Sequence, residues 1–303
     1  MNTIAVTGAH GFVGRHLCAH IADSACGYVA LSRESLSADA LPQQLSGCGA
    51  VIHLAARAHV LRESSGSPDD EFHEANVALT VRVAAAARTA GVRRFVFVSS
   101  AGVLGCESPA EGLDDASSAR PHDAYTRSKL EAEQRLTAQF SGSLEVTIVR
   151  PPLVYGPGAR GNFDRLLRAV LSGWPLPLGS IEARRSMIGV RNLTDLLLRA
   201  ATRPGVEGTC MLVADSEPAT ISEFAHAIAR SAGCNARILP VPVPLLEAAL
   251  AAAGRRADFL RLTRPFVLRP VVARRVLSWA PPHAMSDELD WTIAELRAAR
   301  RRP

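Results

Sequence analysis

Lysine is almost missing from this 303-residue chain: of 34 basic residues, all but Lys129 are arginine. Tyrosine is nearly as scarce, at positions 28, 125 and 155 only. None of the cysteines at 18, 26, 48, 106, 210 and 234 forms a Cys-x-x-Cys pair, which argues against a zinc ribbon or a thioredoxin-type site. His16 and His20 share a helical face without further ligands, so no metal is expected. A charged start leading into a long apolar segment is also lacking. The chain runs straight into the strand-like Thr3–Thr7, and no signal peptide is expected. The longest nearly apolar stretch, residues 239–253, carries Glu247 and three prolines and falls short of the ~20 residues of a membrane span. A cytoplasmic protein with reduced thiols follows. Dense charge is missing too. The net charge is only +5, acids are interspersed, and the sole basic run is Arg300–Arg302, so nucleic acid is not an expected partner.

What is present reads as a globular chain of one large or two small domains, with 48% apolar and 21% charged residues. Short apolar runs alternate with helical patterns through the first half. Strand candidates are Ile4–Thr7, Tyr28–Leu31, Ala50–Leu54, Arg94–Ser99 and Glu145–Val149; helix candidates lie near Phe12–Ser24, Asp69–Ala90 and Ala124–Phe140. Runs such as Phe95-Val-Phe-Val98 lack polar alternation and suit a parallel sheet buried on both faces. The expected fold is α/β, a Rossmann-type doubly wound parallel sheet over residues 1–150, with a smaller C-terminal lobe over 151–303 partly interleaved with it. Within that lobe the pattern gives helices near Phe163–Ser172, Leu193–Ala201 and Ile221–Ala232, strands at Ser186–Val190 and Cys210–Val213, and a loop marked by Pro240, Pro242 and Pro244.

Gly8, Gly11 and Gly14 stand at G-x-x-G-x-x-G spacing between the first strand and the first helix. Glycines there allow a tight turn and a close approach to a pyrophosphate, which the helix N-terminus then receives on its N–H groups. With this motif as a start, the chain resembles the extended short-chain dehydrogenase/reductases, the group of UDP-glucose 4-epimerase and of nucleotide-sugar dehydratases and reductases. Seven ordered segments carry the resemblance over nearly the whole length: Thr7–Gly14, Val51–Ala56, Asn76–Thr80, Phe95–Ser100, Tyr125-x-x-x-Lys129, Arg150–Gly156 and Leu277–Trp279.

The resemblance implies a dinucleotide held by Gly8, His10, Gly11, Phe12 and Val13, by Leu54, Ala55 and Ala56 after a strand, by Asn76 beside the ribose, and by Ser99, Tyr125, Lys129 and Pro152. At the end of the second strand NAD-binding members carry Asp or Glu. Here Ser32 and Arg33 stand there, with no acid before Glu34. These residues suit a 2′-phosphate, so NADP(H) is the expected cofactor and NAD(H) the alternative.

Tyr125 and Lys129 fall at i and i+4 of a helical pattern and so share a face. A phenol needs a nearby cation to act as a base at neutral pH; one at ~4–6 Å lowers its pKa by about 1–3 units. Ser100 lies 25 residues upstream, as the reactive serine does in the family. Ser100, Tyr125 and Lys129 are the expected catalytic residues, with Ser100 and Tyr125 touching the substrate oxygen. For the diphosphate of a nucleotide sugar the resemblance implies Asn162 and Arg185, with Arg184 adjacent and Arg261 and Arg264 as further anion candidates. A helix N-cap is the structural alternative for Asn162. Elimination chemistry is disfavoured, because Ala101-Gly102 follow Ser100 where dehydratases place acids. The expected activity is oxidoreduction at C4 of a nucleotide-linked sugar, first as a 4-keto-6-deoxy-sugar reductase of bacterial surface-polysaccharide assembly. The alternatives are a UDP-sugar 4-epimerase with tightly bound NAD, and a dinucleotide-sensing regulator without catalysis. A homodimer is expected.

Overall fold

The computed structural model describes residues 3–37, 39–57 and 68–301. Its centre is a six-stranded parallel sheet: β1 (Thr3–Thr7), β2 (Gly27–Leu31), β3 (Cys48–His53), β4 (Arg94–Val98), β5 (Glu145–Arg150) and β6 (Cys210–Leu212). The order across the sheet is β6-β5-β4-β3-β1-β2. The chain leaves β1 to one side for β2 and to the other for β3. Ligands of doubly wound sheets bind at such a switch point, outside the carboxyl ends of the strands.

Successive residues of these strands feed opposite faces. Ile4, Val6 and Val96 pack with Leu17 and Ile21 of helix α1 (Phe12–Ala22) and with Leu193, Leu196 and Leu197 of Val190–Thr202. Ala5, Phe95 and Phe97 pack on the other face against Val83 of helix Leu79–Thr89 and Leu136 of helix α2 (Ala124–Phe140). Burial on both faces is why these strands lack polar alternation.

Three features differ from the pattern in the sequence. The expected helix over 69–90 is interrupted by a π turn at His73–Ala78, which buries Asn76. The proline-marked stretch continues into a helix, Val243–Ala252, with Pro244 in its first turn. Proline is tolerated there because its missing N–H has no intrahelical partner anyway. Helix Asn162–Leu171 starts one residue early and is preceded by Gly161 at φ +87°, so Asn162 is its first residue and not its cap. No helix among the described residues is long and apolar enough to cross a membrane.

Candidate active site

β1 ends at Thr7, and Gly8 turns at φ +66°. A Cβ on Gly8 would stand 2.9 Å from Ala55 N, and one on Gly14 2.2 Å from Gly8 O. Glycine is thus required by the backbone on both sides of the turn. Gly11 precedes α1 without a side-chain cap, and no acid stands in the first turn, which begins with Phe12 and Val13. An uncapped helix start of this kind offers N–H groups to an anion. Gly14→Ala drives a methyl into backbone atoms, an overpacking that typically costs about 1–3 kcal/mol. We expect a lower denaturation midpoint and loss of dinucleotide binding, read by chemical unfolding and titration.

Leu54 and Ala55, both expected at the cofactor, stand against this turn. The N–H groups of Leu54 and Ala55 donate to Thr7 Oγ1, both at 3.1 Å; Ala56 follows on the exposed side. Asn76 accepts from Arg57 N at 2.8 Å and donates to Arg57 O at 3.0 Å, so it fixes the backbone after β3. Ser99 Oγ is buried and has no hydrogen-bond partner. An orphaned buried hydroxyl at the carboxyl edge of the sheet fits a ligand that would satisfy it. Glycine turn, uncapped helix and orphan hydroxyl together fit a bound dinucleotide.

At the end of β2, Ser32 Oγ accepts from Ser35 N at 3.2 Å and starts the helical turn Arg33–Ser37. Arg33 and Glu34 are both exposed. The Glu34 carboxyl is held below its usual range, first by a hydrogen bond from Ser32, with Arg33 and His10 of the glycine turn as weaker electrostatic contributors. The first acid after the second strand is thus Glu34, where the sequence places it, next to Arg33.

Helix α2 is set by a capping box at its N-terminus. Asp123 Oδ1 accepts from Thr126 N at 2.8 Å, and Thr126 Oγ1 accepts from Asp123 N at 3.1 Å. This box fixes Tyr125 in the first turn and Lys129 one turn on. Ser100 Oγ accepts from Gly102 N at 3.1 Å and caps a short 3-10 turn, Ala101–Leu104. A Cβ on Gly102 would lie 2.9 Å from Thr126 Cγ2 and 3.2 Å from Ser100 Oγ, so the serine loop packs on the first turn of α2.

Lys129 is 2% exposed. Its Nζ donates to Val98 O at 2.7 Å and stands 4.5 Å from the centre of the Phe97 ring. Burial pushes this amine down to about 7, with Glu133 opposing. Tyr125 lies edge-on to Phe72 at 6.2 Å. Burial, then Asp123, pushes its phenol up to about 12. The expected depression of Tyr125 by Lys129 does not act on the phenol in the protein alone: burial and Asp123 both raise it, and the lysine amine is committed to Val98 O.

Ser100 also borders a cavity of about 700 Å³ whose lining includes Pro152, Asn162, Arg185, Arg261, Phe224 and Phe266. That volume suits a ligand pocket of ordinary size. Arg185 enters it stacked on Phe266 at 5.3 Å, with Nη1 donating to Arg264 O at 2.7 Å. Its neighbour Arg184 turns outward to Pro218 O and Glu223, both at 2.8 Å. Arg264 is drawn off to Glu107 at 2.9 Å. Asn162 accepts from Arg165. Of the expected catalytic three, only Ser100 lines this cavity; Tyr125 is one residue from Thr126 behind it. No metal cluster exists among the described residues.

Sequence reasoning missed two features of the site. Thr7 holds the turn after β3, and His53 joins it at 2.9 Å. The signal was visible as two polar residues at the ends of apolar strands.

Known proteins give the same assignment. The family model for the NAD dependent epimerase/dehydratase family matches residues 4–213. A UDP-glucose 4-epimerase of Vibrio cholerae is 31% identical over 323 aligned positions, covering 99% of this chain and 97% of that protein. A 4-hydroxy-2-methyl-3-oxo-4-farnesyl-3,4-dihydroquinoline-1-oxide ketoreductase of Stigmatella aurantiaca is 27% identical, over 88% of this chain and 83% of that one. The solved structure of MoeE5 in complex with UDP-glucose and NAD superposes with a TM-score of 0.77 at 25% identity, covering 99% of this chain and 100% of that one. A glycine turn at the switch point, a buried lysine one turn after a tyrosine, and a family match over most of the sheet make this chain an enzyme of the NAD-dependent epimerase/dehydratase family.

Proposed function

We propose that this enzyme is a UDP-sugar 4-epimerase that keeps NAD bound through turnover. The observation that carries the reading is the near full-length match to the Vibrio cholerae UDP-glucose 4-epimerase. The site supports it residue by residue. Phe12 and Val13 offer backbone N–H groups to the pyrophosphate, and Ser99 offers its orphan hydroxyl. Glu34 is the acid for a ribose 2′-hydroxyl. Arg185 and Arg261 supply charge for the sugar diphosphate, and the guanidinium fork of Arg185 is held rigid by Phe266 and Arg264 O.

NAD, when bound, supplies a hydride acceptor and, in its oxidised form, a positive ring. Tyr125 would take the proton of the C4 hydroxyl in the oxidative direction and return it to the same oxygen in the reductive one. Ser100 hydrogen-bonds the same oxygen. Lys129, held by Val98 O and the face of Phe97, places its amine one turn after Tyr125 on the same helix.

The second reading is the reductase, favoured by Arg33, whose exposed guanidinium suits a 2′-phosphate. Cofactor choice separates the two. Glu34 beside a 2′-phosphate would cost about 1 kcal/mol at contact distance in water, or ~5-fold in affinity. We expect tighter binding of NADH than of NADPH, and a Glu34→Ser chain in which the gap narrows by about that factor. Parallel titrations of both cofactors test this. Tighter NADPH binding by the wild type would favour the reductase.

A further inference from the structure

We propose that His53 is a positioning residue of the dinucleotide site, a neutral imidazole in the Nε2–H form that locks the glycine turn to the helix bearing Tyr125 and Lys129. This rests on reading the glycine turn as the cofactor site. His53 ends β3 and is fully buried, stacked on Phe95 at 5.7 Å and on Phe97 at 6.0 Å. Its tautomer follows from counting protons. The Thr80 hydroxyl gives its single proton to Asn76 O at 2.6 Å. Towards His53 Nε2, at 3.1 Å, it can only accept, so Nε2 carries the hydrogen. His53 Nδ1 then accepts from Thr7 Oγ1 at 2.9 Å. Thr7, its proton spent there, accepts from Leu54 N and Ala55 N. A charged imidazole would present two donors and leave the Thr7 proton unplaced. Burial pushes His53 down to about 3, and Lys129, across Phe97, adds to this.

Both ends of this chain of bonds reach the site. Leu54 and Ala55 are the backbone against which Gly8 turns, with 2.9 Å between Ala55 N and a Cβ placed on Gly8. At the other end, Asn76 grips Arg57 through its backbone and donates to Ser128 Oγ at 2.9 Å, one residue before Lys129. Thr7, His53, Thr80, Asn76 and Ser128 therefore tie β1 and β3 to α2 with every proton assigned. Losing the His53 acceptor frees the Thr7 hydroxyl to rotate and loosens the turn that shapes the pyrophosphate cradle.

The test uses the full chain. Nitrogen NMR of histidine-labelled protein should show His53 as Nε2–H, without titration between about pH 5 and 9 where an ordinary histidine would respond. In NAD titrations of chain stripped of bound dinucleotide, His53→Phe should raise Kd about tenfold, the scale of one buried hydrogen bond left unmade. His53→Asn puts an acceptor where Nδ1 stood and should recover most of the affinity. An Nδ1–H form, an imidazole titrating in that range, a folded His53→Phe chain that binds NAD like the wild type, or a His53→Asn chain no better than His53→Phe would each overturn the proposal. The NMR result decides even where His53→Phe does not fold. A wild-type chain that neither copurifies with a dinucleotide nor binds added NAD overturns the cofactor reading instead, and is distinguishable from these.

Discussion

Tyr125→Phe should lower kcat for C4 inversion by about 10²–10⁴, the usual contribution of a positioned acid–base group. Its retention of NAD should change little. The phenyl ring keeps the edge contact with Phe72, and the Asp123–Thr126 capping box that places the residue is untouched. The pH profile carries a second readout. In the protein alone the phenol is pushed up to about 12, so at neutral pH Tyr125 holds its proton. To act as a base it would draw on the positive charge that oxidised NAD supplies when bound, and the ascending limb of kcat/KM for wild type loaded with NAD should fall well below 12. Tyr125→Phe should lack that limb. A Phe variant turning over like the wild type would remove Tyr125 from the reaction.

Lys129 gives the second large effect, and its substitutions should separate activity from stability. Lys129→Arg retains the charge but must fit a longer, planar head where Nζ now touches Val98 O at 2.7 Å and faces Phe97. The charge is displaced, and overpacking adds about 1–3 kcal/mol. Activity should drop by at least ~10² on the acid–base scale. Lys129→Met keeps the stem without the charge and should be inactive yet more heat-stable. The sign follows from the lowered pKa, about 7 folded against 10.5 unfolded. Between those values the unfolded chain binds more protons, so the stability of the wild type rises with pH across that window. Below it the buried ammonium is charged in both states and costs most. The Tm gain of Lys129→Met should therefore be largest below about pH 7 and shrink towards pH 10.5, each kcal/mol being worth about 2–4 °C. Calorimetry across that range, beside turnover, checks it. A Lys129→Arg chain with wild-type turnover would return Lys129 to an ordinary core residue.

Much of this site was legible in the chain because its chemistry is local. The glycine spacing, the Tyr125–Lys129 interval and the lone lysine all lie within one helix turn or one loop, where periodicity is informative. The sheet was legible because strands buried on both faces are apolar throughout. What stayed hidden depends on contacts across the sheet. Thr7 and His53 meet from strands 46 residues apart. Arg185, and not Arg184, enters the cavity because Phe266 receives it from a segment some 80 residues later. The π turn at Asn76 repeats no pattern in the sequence, since it is a single-turn bulge between two α-helical stretches. Glu34 could be seen but not used, because only the turn after β2 brings it beside Ser32 and the glycine turn.

The most direct measurement gives the purified chain UDP-glucose deuterated at C4, with no cofactor added, and follows the sugar by NMR and the nicotinamide by absorbance. An epimerase that keeps NAD bound yields UDP-galactose with the deuterium still on C4 and releases no reduced nicotinamide. No inversion of UDP-glucose, together with stoichiometric consumption of added NADPH when a 4-keto sugar nucleotide is supplied, would contradict it and make the enzyme a reductase.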